Sequence, residues 1–176
     1  MRRSTLVILC SLALLCLGLA VPGARADEGA PTTATVSFGA WHTEPPLDRF
    51  PNSSPGAQNE HQLFPNTVTI AAGGTVNFII SGLHQVIVYD DGTQPEDINA
   101  EATTPSTGVP AGVPLIDDPT NRLYRGPDPS LPNLQPRDRV EVVHFPTPGT
   151  YLVICGVRDH FVNDGMYGFV TVRPER

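Results

Sequence analysis

Past its first 26 residues the chain is broken by glycine and proline so often that only short extended segments fit between the breaks. Its 176 residues include 19 prolines and 16 glycines. Helical periodicity is scarce, whereas short alternating or β-branched runs recur. Strands are expected over 34–41, 67–71, 75–80, 85–89, 139–145, 151–155 and 166–173. Turn signals separate them at Ala72-Gly73-Gly74, Asp90-Asp91-Gly92 and Thr147-Pro148-Gly149. Such a series describes an all-β chain folded as a β-sandwich, whose two sheets bury alternate side chains.

Two stretches fit no strand pattern. Residues 43–65 carry five prolines, and residues 91–138 carry nine prolines and four glycines. The second is far longer than an ordinary connection, so it is expected to be a cover over a functional region or an insertion. One short helix is expected within 96–102.

The first 26 residues read as a secretory signal. Arg2 and Arg3 supply the positive start, Leu6 to Leu19 the apolar stretch, and Ala24-Arg25-Ala26 a small-x-small cleavage site. The apolar stretch is short for a membrane span and lies wholly inside that signal, so no membrane span is expected. Residues 27–176 then form a single domain in a periplasmic or secreted protein.

The chain has no lysine. Removing the signal leaves eight arginines against 18 acidic residues, a net charge of about −10 with neutral histidines. This charge argues against nucleic acid and anionic membrane as partners. It favours a soluble protein that can be steered to a basic docking face.

With the signal removed, Cys155 is the one cysteine left, so it has no partner for an internal disulfide. An inert buried thiol, an intermolecular bridge and a metal thiolate are the readings open to it. Its neighbours favour the last. Cys155 closes an expected strand, His160 follows at Cys-x4-His spacing, and Met166 opens the next strand, so one hairpin gathers a thiolate, an imidazole and a thioether. His84, placed directly after the turn-like Ser81-Gly82-Leu83, is the best candidate for a further ligand. Two histidines, one cysteine and a weak methionine suit copper. Zinc accepts the same sulfur and nitrogen set, but the thioether favours copper.

These residues carry a resemblance. The hairpin is preceded by Phe145-Pro-Thr-Pro-Gly149-Thr-Tyr151 and closed by Met166-Tyr-Gly168-Phe-Val-Thr-Val172. It resembles the C-terminal copper-binding motif of the cupredoxins, the plastocyanin and azurin type of blue copper protein. The match is close over 147–172 and looser over 65–89, about a third of the mature chain. The resemblance implies a Greek-key β-sandwich holding one type 1 copper ion. His84, Cys155 and His160 would be equatorial, both histidines binding through Nδ1, and Met166 axial. It also implies an electron exit at the His160 edge, near Phe161 and Val162. The interval from His160 to Met166 is longer than in plastocyanin or azurin, and the 91–138 insertion has no counterpart in the motif.

An exported, monomeric electron carrier that passes single electrons between redox partner proteins is the function this implies, and it is not an enzyme. The alternative is a copper-handling protein, a chaperone or buffer in the periplasm. Multicopper oxidases and nitrite reductases typically add paired His-x-His motifs, which this chain lacks. Of the other histidines, His144 is expected to face solvent, while His42 and His61 offer material for a second, looser metal site. Arg158 is expected to be a solvated loop residue.

Overall fold

The computed structural model describes residues 29–40, 60–107, 110–128 and 138–175. The expected signal, His42 and Trp41 lie outside the described residues. The strands are β1 (Thr33–Ala40), β2 (Glu60–Phe64), β3 (Thr67–Ala71), β4 (Gly74–Ile80), β5 (Val86–Asp91), β6 (Thr103–Pro105), β7 (Pro114–Ile116), β8 (Arg122–Arg125), β9 (Arg139–Phe145), β10 (Gly149–Cys155) and β11 (Tyr167–Arg173). One short helix, α1, spans Arg158–Val162.

Two sheets form the expected β-sandwich. One runs β2-β1-β4-β9, the other β3-β11-β10-β5-β8, and β6 and β7 make a separate hairpin. Each large sheet has one parallel pair, β1 with β4 and β3 with β11, and is otherwise antiparallel. From β3 to β5, and again from β8 to β10, the chain crosses between sheets, as in a Greek key.

The two sheets differ in what covers them, and their sequences show it. In β9 burial alternates along Arg139–Phe145, because only its inner face meets the core. In β10 every residue from Tyr151 to Cys155 is buried, and β5 is buried from Val86 to Tyr89. Their inner residues, Val86, Val88, Val153 and Cys155, join Phe38, Phe78 and Val143 of the opposite sheet in the main core. Their outer residues, Ile87, Tyr89, Leu152 and Ile154, pack against Ile98, Ile116 and Phe161 in a second core.

That second core identifies the described part of the 91–138 stretch as a cover. β8 extends the sheet beside β5, and the β6–β7 hairpin with Ile98 closes over the sheet's outer face. The helix expected within 96–102 is absent. A single 3₁₀ turn, Pro95–Asp97, stands there, with its backbone and that of Gln94 held by a capping box. A further correction concerns 43–65, which contains β2. His61-Gln-Leu-Phe64 alternates too briefly, beside too many prolines, to be read as a strand without its partner β1.

Candidate metal centre

Cys155 is the last residue of β10, held between Met166 on one side and the start of β5 on the other. Its backbone N–H donates to the Met166 carbonyl at 2.9 Å, and the Met166 N–H donates to the His160 carbonyl at 2.9 Å. The chain leaving β10 therefore returns to it within eleven residues. The next residue is closely packed: a Cβ on Gly156 would lie 2.5 Å from Gln85 Oε1 and 2.9 Å from Ile87 Cδ1, so any larger residue would have to displace these side-chain ends. The Gly156 N–H donates to the Gln85 carbonyl at 2.7 Å, so the loop is seated on the start of β5.

His84 lies between β4 and β5, in a connection tied down by the β2-β1-β4-β9 sheet. Ser81 Oγ donates to the Gly39 carbonyl at 3.0 Å and the Gly82 N–H to Asp138 Oδ1 at 2.9 Å. Arg139 Nη2 donates to the His84 carbonyl at 3.0 Å, while Arg139 also pairs with the buried Glu141, which accepts from Tyr124 Oη at 2.8 Å. Phe38 meets the His84 ring edge-on at 5.9 Å.

These constraints bring three donor atoms together. His84 Nδ1 and His160 Nδ1 are 3.1 Å apart, and Cys155 Sγ is 3.5 Å from the first and 3.6 Å from the second. The three residues form a group that can hold a metal ion. An ion at about 2.0–2.1 Å from imidazole nitrogen and about 2.3 Å from thiolate sulfur leaves its ligand atoms at separations of this order. Met166 is fully buried and belongs to the same core as Cys155.

The electrostatics suit a cation. Burial drives His84 down to about 2, with further repulsion from His160, His61 and Arg139. Burial, then His61, lowers His160 to about 4. Both rings are thus neutral near pH 7 and can offer lone pairs. Burial pushes the Cys155 thiol up to about 12, although the Gln85 and Val157 backbone N–H groups favour the thiolate. Only a nearby positive charge would release its proton at neutral pH, and a bound metal ion is such a charge. His84 Nε2 is buried without a hydrogen-bond partner.

The sandwich topology and the motif hairpin on β10 and β11 together decide the fold. It is a two-sheet β-sandwich of mixed strands, the fold that the cupredoxin resemblance implies. No family model and no curated protein matches the chain. Among solved structures it is similar to a Na-dithionite-reduced auracyanin from Roseiflexus castenholzii, at 23% identity over 83% of this chain and 100% of that one, with a TM-score of 0.49. Auracyanin A, a "blue" copper protein from Chloroflexus aurantiacus, shares 23% identity over 82% of this chain and 100% of its own, with a TM-score of 0.46. Oxidized plastocyanin from Dryopteris crassirhizoma shares 18% identity over 79% of this chain and 99% of its own, with a TM-score of 0.36.

Several residues around this site were not legible as its neighbours. His61 does not stand apart in a looser site. Its ring stacks on His160, with centroids 3.7 Å apart and planes 21° apart, and its Nδ1 donates to Asp164 Oδ2 at 2.6 Å. Arg158 is not a free loop residue: it opens α1, donates from Nε to the Ala100 carbonyl at 3.1 Å and pairs with Glu101. His144 is exposed on β9, as expected. Arg139, Glu141 and Tyr124 carried no spacing signal, because two separate strands, β8 and β9, supply the network.

The insertion reaches this site. Ile116 donates its N–H to the Gly156 carbonyl at 2.8 Å, and Leu115 bridges Val157. Leu115 is fully buried in the core that holds Cys155 and Met166. No helix among the described residues is long and apolar enough to cross a membrane.

Proposed function

We propose that this chain is an exported type 1 copper protein that carries single electrons between redox partners. His84, Cys155 and His160, together with the Met166 thioether, would hold the ion. The convergence of two neutral imidazole nitrogens and one cysteine sulfur within 3.6 Å of one another carries this reading. Bound copper would supply a one-electron couple.

The chain's own residues do the rest. Cys155 supplies a thiolate whose charge the Gln85 and Val157 N–H groups support. His84 and Cys155 are fully buried, so rigid packing resists rearrangement of the ligands and water is kept from them. His160 is only partly buried and is the ligand through which the centre meets a partner. A net charge of about −10 on the exported chain favours a partner with a basic docking face. In this role the protein is a monomeric carrier that binds no substrate and makes no bond, and so is not an enzyme.

Two rates test this function against copper handling. A carrier keeps copper in the presence of a mild chelator and shows fast electron self-exchange. Rapid surrender of copper with slow self-exchange would instead identify a protein that passes on the ion.

A further inference from the structure

His61 reaches the centre from the opposite sheet. It belongs to β2, whereas His160 lies on α1 in the loop between β10 and β11. The two rings are stacked at 3.7 Å, and His61 is also edge-on to His84 at 5.6 Å. Asp164, four residues after His160, accepts from His61 Nδ1 at 2.6 Å. The lengthened loop thus contributes both the ring under the stack and the carboxylate that fixes the ring above it.

We propose that His61, anchored by Asp164, is a positioning residue for His160. A histidine side chain on a short loop helix has two rotatable bonds, and a metal bond at Nδ1 alone leaves the ring plane to be set by its surroundings. The flat contact with His61 sets it from one face. Asp164 prevents His61 from turning away and makes the contact a closed triangle spanning β2, α1 and the loop before β11. This triangle gives a structural role to the interval between His160 and Met166, because Asp164 within it is the anchor of the clamp. Groups in a ligand's outer shell act on metal retention without touching the metal.

The inference rests on the metal centre proposed above, and its test separates the two. Wild-type protein, His61→Ala, His61→Phe and Asp164→Asn are loaded with copper(II) and, in parallel, with cobalt(II), whose ligand-field bands report the ligand set without electron transfer. Metal loss to excess chelator and the ligand-field spectrum are then recorded. His61→Ala is expected to lose either metal at least about tenfold faster and to shift the bands, His61→Phe to stay within about threefold of wild type because it keeps the stacked face, and Asp164→Asn to fall between them. Equal retention in His61→Ala and wild type would overturn the clamp, and so would a His61→Phe variant as leaky as His61→Ala. Should His61→Ala fail to fold, Asp164→Asn decides alone: wild-type retention and spectrum in that variant overturn the clamp. Altered cobalt retention in a protein that lacks the blue copper spectrum would leave the clamp standing and refute the electron carrier. A wild-type protein that binds neither ion would refute both.

Discussion

Ile116 donates its backbone N–H to the carbonyl of Gly156, the residue that follows Cys155, at 2.8 Å. The proline-rich insertion is therefore hydrogen-bonded to the loop that carries the proposed ligands, and Leu115 beside it is buried in their core.

The first expectation follows from that burial. Leu115→Ala removes a fully buried side chain and should destabilise the metal-free protein by about 2–5 kcal/mol. Urea unfolding measures this. An effect within about 0.5 kcal/mol, the scale of an ordinary surface substitution, would show that the insertion is not part of the core.

Arg139 and Glu141 give a second. Both side chains are largely buried, and Arg139 also holds the His84 carbonyl. Arg139→Met leaves Glu141 charged and without its cation, so a loss of about 3–5 kcal/mol is expected. Thermal unfolding reads the loss, and the copper spectrum reads any displacement of His84.

Stability of the metal-free protein should depend on pH from both sides. His84 and His160 titrate lower in the fold than their ordinary 6.5, so the unfolded chain binds more protons, and stability falls as pH drops below about 6.5. Cys155 titrates higher in the fold than its ordinary 9.0, so the unfolded chain loses its proton first, and stability falls again as pH rises above about 9. A denaturation series across pH should show a plateau between these limits, and a profile rising below pH 6 would contradict it.

Copper binding near pH 7 should release one proton. Both imidazoles are already neutral there, while the Cys155 thiol is protonated until the ion arrives. Calorimetric titration in buffers of different ionisation enthalpy counts the protons. A count of zero would mean that Cys155 does not bind as a thiolate.

Much of this architecture was legible in local pattern, and the remainder depended on contacts between distant segments. β3 and β9 follow from alternation and turn residues, and Cys155, His160 and Met166 are visible because one hairpin holds them. β2 was missed because a five-residue strand flanked by prolines gains its identity from pairing with β1. α1 was missed because five residues give too little periodicity to distinguish a helix from a loop. In sequence His61 offers only material for a second, looser metal site, because sequence distance hides a contact across two sheets: it lies 99 positions from the His160 ring it covers. The continuous apolar runs in β5 and β10 were a signal that both faces of that sheet are covered, and the insertion is what covers the outer one.

The central claim is that Cys155 is the thiolate of a copper centre, and the absorption and paramagnetic resonance spectra of the copper(II)-loaded protein test it most directly. An intense blue thiolate-to-copper band, absent in Cys155→Ser, is the predicted result. Identical spectra for wild type and Cys155→Ser, or a colourless protein fully loaded with copper(II), would contradict it.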